Sequence, residues 1–128
     1  MAGIKFEADG YGEFKKSLND IKSSLKVVSS ELMATKSEFD KNDRSVTALT
    51  AKNKALSKTI EEQKKYVDQL KQGVAAATKE WGENDKRTQA LTVQYNKAKV
   101  ELNNLEREFK DNEKAARDAA RGYDDAGN

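Results

Sequence analysis

From Phe14 to Tyr123, seam positions alternate at intervals of four and three residues, and most of them are apolar. Written as heptads, one seam position falls on Leu18, Leu25, Leu32, Phe39, Val46, Asn53, Ile60, Val67, Val74, Trp81, Thr88, Tyr95, Leu102, Phe109, Ala116 and Tyr123. The other falls on Phe14, Ile21, Val28, Thr35, Asn42, Leu49, Leu56, Gln63, Leu70, Ala77, Asn84, Leu91, Ala98, Leu105, Asn112 and Ala119. Apolar residues fill 25 of these 32 positions, against 36% of the whole chain. A narrow apolar stripe with charge around it predicts α-helices that pack along one face. The fold class is therefore all-α, with long amphipathic helices.

The first ten residues follow another rule. Gly3–Ala8 alternates apolar and polar, which predicts a short strand, and Asp9-Gly10-Tyr11-Gly12 has turn chemistry. Helices are expected over about 11–40, 44–81 and 86–121. Gly73 falls inside the second and weakens it by about 1 kcal/mol relative to Ala. Residues 122–128 are small and polar and predict the start of a linker. The expected organisation is thus a strand and turn over 1–10, a helical region over 11–121, and a linker beyond.

Two stretches interrupt the helical pattern, and they resemble each other. Residues 38–50 are EFDKNDRSVTALT and residues 80–92 are EWGENDKRTQALT, with six of thirteen positions identical. The 42-residue offset is six whole heptads, so an internal duplication has kept the seam in phase. Asn42-Asp43 and Asn84-Asp85 are N-cap material, and Gly82 suits a helix C-terminus. Two architectures follow. Turns at these sites give antiparallel helical hairpins, whereas the unbroken phase suits an extended coiled coil about 165 Å long at ~1.5 Å per residue. The clustered helix-stop residues tip the reading toward hairpins.

Composition narrows the function. The chain has 128 residues, 36% of them charged, with no Pro, Cys or His. Without Cys or His there are no disulfides, thiol nucleophiles, Cys/His zinc sites or His-based catalysis. Adjacent carboxylates such as Glu61-Glu62 point in different directions on a helix and cannot share a substrate. No catalytic, cofactor or metal site is expected, and no small-molecule substrate. With 24 basic and 22 acidic residues interleaved, no concentrated basic face predicts nucleic-acid binding. No apolar run approaches the ~20 residues that a membrane span needs. Surface pairs at i,i+4, namely Glu61–Lys65, Glu106–Lys110 and Glu113–Arg117, fit an exposed helix face.

The candidate functional residues are therefore the packing seam itself: Leu18, Ile21, Leu25, Leu32, Phe39, Leu49, Leu56, Ile60, Val67, Leu70, Trp81, Leu91, Leu102, Leu105 and Phe109. Polar seam residues Asn53, Gln63 and Asn112 either fix register or mark thin, wet segments. Phe39 and Trp81, equivalent in the repeat, either cap a helix–helix layer or anchor a partner. Helices of this kind associate, and a homo-oligomer is expected.

The order of IKFEADG, a Gly/aromatic turn, an amphipathic helix and the duplicated aromatic-x-x-N-D…ALT turns resembles the N-terminal region of tail tape measure proteins. These belong to long-tailed bacteriophages and related prophages of Gram-positive bacteria. FDKNDRSVTALTAKNKALSKTIEEQKKYVDQLK and WGENDKRTQALTVQYNKAKVELNNLEREFK carry most of the likeness. Where many relatives have a proline–glycine turn, this chain has Asp40-Lys41-Asn42-Asp43. The resemblance implies a structural protein in the tail tube lumen, assembled in the host cytoplasm, whose helical length sets tail length and which leaves before DNA passes. It implies the tail tube protein and tail assembly chaperones as partners. A generic coiled-coil adaptor with no enzymatic activity is the alternative.

Overall fold

The computed structural model describes residues 4–125, and side chains over 4–122. Its elements are three helices, α1 (Gly10–Ser37), α2 (Val46–Trp81) and α3 (Lys86–Asp125). The fold is all-α. Among the described residues there is no strand.

That corrects the expectation for the N-terminus, where Gly3 lies outside the described residues. Ile4 to Phe6 have no regular structure, and Glu7, Ala8 and Asp9 form a turn leading into α1. The alternation there has a different cause. Phe6 is buried and packs beside Tyr11, Phe14 and Trp81, with Ile4 against the same cluster. A segment docked on helix ends needs its apolar side chains on one side, as a strand does, yet it has no ladder partner. Gly10 and Gly12 are helical, and the positive φ falls on Ala8 at 52°. Gly10 is required for another reason: a Cβ there would overlap the Lys5 carbonyl, which crosses directly over the helix start.

The two turns show why helix ends moved from their expected positions. In the second, Gly82 adopts φ 88°, open essentially only to glycine, so α2 runs through Trp81 before the chain reverses. The equivalent of Gly82 in the first copy is Asp40, which lacks that freedom. α1 accordingly stops at Ser37 rather than 40, and unwinds through bonds from Glu38 N–H to Thr35 O and Phe39 N–H to Lys36 O. On the far side, Asp43 Oδ1 accepts from Ser45 N–H (2.9 Å) and Asp85 Oδ1 accepts from Arg87 N–H (2.8 Å). The duplicated aspartate thus makes one contact in both copies. It does not cap both helices: Ser45 caps α2, accepting from Ala48 N–H. Asn42 and Asn84 are exposed, and neither caps a helix through its side chain in a described bond. At the C-terminal end α3 continues to Asp125, so 122–125 is helix rather than linker, and 126–128 lie outside the described residues.

Contacts run in opposite directions along neighbouring helices. Gly73 meets Phe14 near one end of the α1–α2 pair, and Leu56 shares a cluster with Leu32 near the other. Gln63 bonds to Ala98, while Asn53, earlier in α2, bonds to Phe109, later in α3. α2 is the central helix, packing on both α1 and α3. Its middle line, Leu49, Leu56, Gln63, Leu70 and Ala77, is sealed almost completely from solvent. Truncating such a leucine to alanine typically costs ~2–5 kcal/mol.

Candidate functional site

The structure places every one of the fifteen seam candidates at least half out of solvent. Leu18, Leu32, Leu49, Leu56, Leu70, Leu91 and Leu105 are buried. Ile21, Leu25, Phe39, Ile60, Val67, Trp81, Leu102 and Phe109 are half-buried. Ten of them gather in two apolar clusters, and Ile21, Leu25, Phe39, Leu49 and Leu102 lie outside both. The larger joins Phe6, Phe14, Leu18, Leu70, Ala76, Ala77, Leu91 and Ala98, with Val67 and Trp81 at its edge. The smaller joins Leu32, Leu56 and Leu105, with Ile60 and Phe109 beside it.

Two amides of α2 flank the smaller cluster, Gln63 between it and the larger one and Asn53 on its far side. Gln63 is 3% exposed and donates from Nε2 to Ala98 O at 3.0 Å. Asn53 donates from Nδ2 to Phe109 O at 3.0 Å. Both amides therefore reach from α2 to backbone carbonyls of α3, ten residues apart on one helix and eleven on the other. That geometry fits register fixing, because sliding α3 along α2 breaks both bonds at once. Asn53 Oδ1 is left buried with no partner, a cost of ~1–3 kcal/mol. Asn112 is buried at 9%.

Sequence reasoning missed a third line on α2. A central helix must bury an arc wide enough for two neighbours, and Lys52, Thr59, Tyr66 and Gly73 form a further line at heptad spacing, of which Thr59 and Gly73 meet α1. Thr59 is 2% exposed, and its hydroxyl reaches Ala55 O at 3.1 Å and, more weakly, Val28 O at 3.4 Å. Gly73 is the socket for Phe14: a Cβ there would overlap Phe14 Cζ and lie 2.6 Å from Cε1. Only the spacing of seven could have revealed this line, since polarity hides it.

An aromatic cap closes one end. Trp81 lies 4.8 Å from Tyr11 and 5.2 Å from Phe6 between ring centroids. The Arg87 guanidinium stacks 3.7 Å above the Trp81 ring. Asp85 holds that guanidinium with two bonds of 3.0 Å. The same bonds to Arg87, from side chain and then backbone, keep the Asp85 carboxyl below the usual carboxylate range. Asp43 is lowered likewise by its bonds from the Ser45 backbone and hydroxyl. Burial raises Tyr66. Phe39, the repeat equivalent of Trp81, is half-buried outside this cap.

Surface ion pairs differ from expectation. Glu113–Arg117 forms at 3.5 Å, but Lys65 pairs with Glu62, and Glu106 approaches Lys64 of α2 instead of Lys110. Lys36 of α1 reaches Glu108 of α3 at 2.8 Å. A shallow groove of about 340 Å³ lies between α2 and α3, floored by Ile60 and Phe109 and rimmed by Glu61, Lys64, Glu106 and Lys110. Among the described residues no group of His, Cys, Asp or Glu is placed to hold a metal ion, and no helix is long and apolar enough to cross a membrane. The arrangement packs helices, with two α2 amides bonded to α3 carbonyls.

The chain matches no protein-family model, no curated protein and no solved structure.

Proposed function

We propose that this chain is a helical structural segment of a phage-tail tape measure protein, without enzymatic activity. The observation that carries the reading is the seam extended by 42 residues, six whole heptads, within a repeat whose turns resemble that family. A helix whose seam grows by whole heptads keeps its packing face at every length. A chain whose length encodes another length needs that property. In this reading the protein occupies the tail tube lumen, with the tube protein and tail assembly chaperones as partners and copies of itself alongside. Asn53 and Gln63 serve it by holding neighbouring helices in one register.

Deleting one repeat in the native phage tests the ruler. With the helices end to end, losing residues 43–84 shortens the tail by about 63 Å at ~1.5 Å per residue. Tails of unchanged length overturn it. An encoding gene without tail tube and tail tip genes nearby overturns the phage assignment itself.

A second reading, a coiled-coil interaction module, is favoured by one specific observation. Neighbouring helices lie alongside one another with opposed directions, so residues added in pairs of helices widen the fold without lengthening it. In that reading the hairpins are the working form.

A further inference from the structure

The two interfaces of α2 differ in kind. Against α3 it sets one buried and one part-buried amide bond and faces the buried residues Thr88, Leu91, Ala98, Leu105 and Asn112. Against α1 it sets Thr59 and Gly73, and among the described residues no side-chain amide bonds across that interface. Of the apolar residues on α1, only Phe14, Leu18 and Leu32 are buried, and they sit toward its two ends. The middle, Ile21, Leu25 and Val28, is half-buried, and the bond there from Thr59 to Val28 O is stretched to 3.4 Å.

We infer that α1 is a releasable helix, latched by Phe14 in the Gly73 socket and by the Leu32 and Lys36 contacts, while α2 and α3 stay paired. Opening costs α1 three buried apolar side chains, the Tyr11–Trp81 contact, the solvent-exposed Lys36–Glu108 ion pair and one weak hydroxyl bond, whereas separating α2 from α3 breaks both amide bonds and a longer buried row. Proteins open in cooperative units of this kind, the least buried first. The socket controls the equilibrium, because glycine is the one residue that leaves room for the ring. This inference stands apart from the phage-tail reading, since either proposed function is compatible with it.

Native-state hydrogen exchange on the full chain, read helix by helix by mass spectrometry, tests it. Amides of residues 17–30 are expected to exchange at least about tenfold faster than those of 53–70 and 91–105, a gap of ~1.4 kcal/mol in opening. Gly73→Ala is expected to widen that gap about fivefold, speeding α1 more than the α2–α3 amides, because the alanine's helix gain is kept while α2 and α3 stay paired. Equal protection in all three helices overturns the inference. So does a Gly73→Ala chain in which all three helices speed up by the same factor or helix is lost altogether, because the α2–α3 pair is expected to outlast α1 in that chain. Gln63→Ala supplies the converse, speeding α2 and α3; acceleration confined to α1 overturns the assignment of the stronger interface.

Discussion

Gly73→Ala sets a local rule against a tertiary one, with opposite signs. Within the helix, replacing glycine by alanine gains about 1 kcal/mol from lower backbone entropy. Against that stands the Phe14 ring, which is 2% exposed and whose Cζ, Cε1 and Cε2 occupy the place of the new Cβ. The contact is with the far end of a side chain, so the ring can leave, but it leaves into water. Removing a buried phenylalanine altogether costs ~3–5 kcal/mol. A ring expelled rather than deleted loses about 3 kcal/mol at the low end of that range. The net expectation is a loss of about 2 kcal/mol, despite the better helix former.

A second substitution isolates the cause. Phe14→Leu lacks the three ring atoms that would meet the new Cβ, while keeping an apolar side chain in the site. In that background Gly73→Ala is expected to stabilise by about 1 kcal/mol, the helix gain alone. The coupling between the two positions is then about 3 kcal/mol, at the upper end for residues in contact. Urea unfolding followed by far-UV circular dichroism, on the parent, both single variants and the double, measures it. Additive effects, or a stabilising Gly73→Ala in the parent chain, refute the socket.

Thr88 is 2% exposed, and its Oγ1 is buried without a partner. Thr88→Val keeps the shape and removes the stranded hydroxyl, so the urea midpoint should rise by the equivalent of about 1 kcal/mol; a fall contradicts the assignment. For pH, Asp85 sits below its ordinary 3.8 because the folded state favours the carboxylate. The folded chain therefore binds fewer protons than the unfolded one in this range. The stability Asp85 supplies is present above about pH 3.8 and disappears as pH falls through its lower folded value. Asp85→Asn keeps an acceptor for the Arg87 N–H and loses the charge. The parent should then be the more stable at neutral pH, with the difference vanishing in acid, as read from fluorescence of the lone Trp81; a difference independent of pH rejects the ion pair's role.

Helical class and the buried middle line of α2 were legible because both rest on apolar spacing. Leu49, Leu56 and Leu70 can be named from the pattern, and they are the most deeply buried leucines. The further line on α2 was not legible, because Lys52, Thr59 and Gly73 pack by size and by alkyl stem rather than by polarity. Gly73 looks like a weak point in the sequence and becomes a socket only when Phe14, 59 residues earlier, is placed against it. Nor could the duplicated turns be told apart locally: one glycine at 82, against Asp40, decides where each helix ends. The alternation around Phe6 was real, but strand pairing and docking on an aromatic cap ask the same of two alternate side chains.

The antiparallel contacts put a condition on the ruler. α3, the longest helix at 40 residues, spans about 60 Å at ~1.5 Å per residue. While α1 and α2 lie alongside it, the fold is little longer than that one helix. Removing residues 43–84 from a folded bundle would change its width and leave its length almost unaltered. The expected shortening of about 63 Å at ~1.5 Å per residue arises only if the helices come apart and lie in series. A tape measure built on this sequence therefore needs an open form. Opening must begin where helix contacts are weakest, at α1, and extend to the amide-pinned α2–α3 pair only when something replaces the carbonyl partners of Asn53 and Gln63. Equivalent amide contacts from a neighbouring copy would do so without leaving buried polar groups unpaired. Asn53→Ala with Gln63→Ala tests this point in the native phage: tails are expected to lose their uniform length, and tails of unchanged, uniform length refute the exchange of amide contacts between copies.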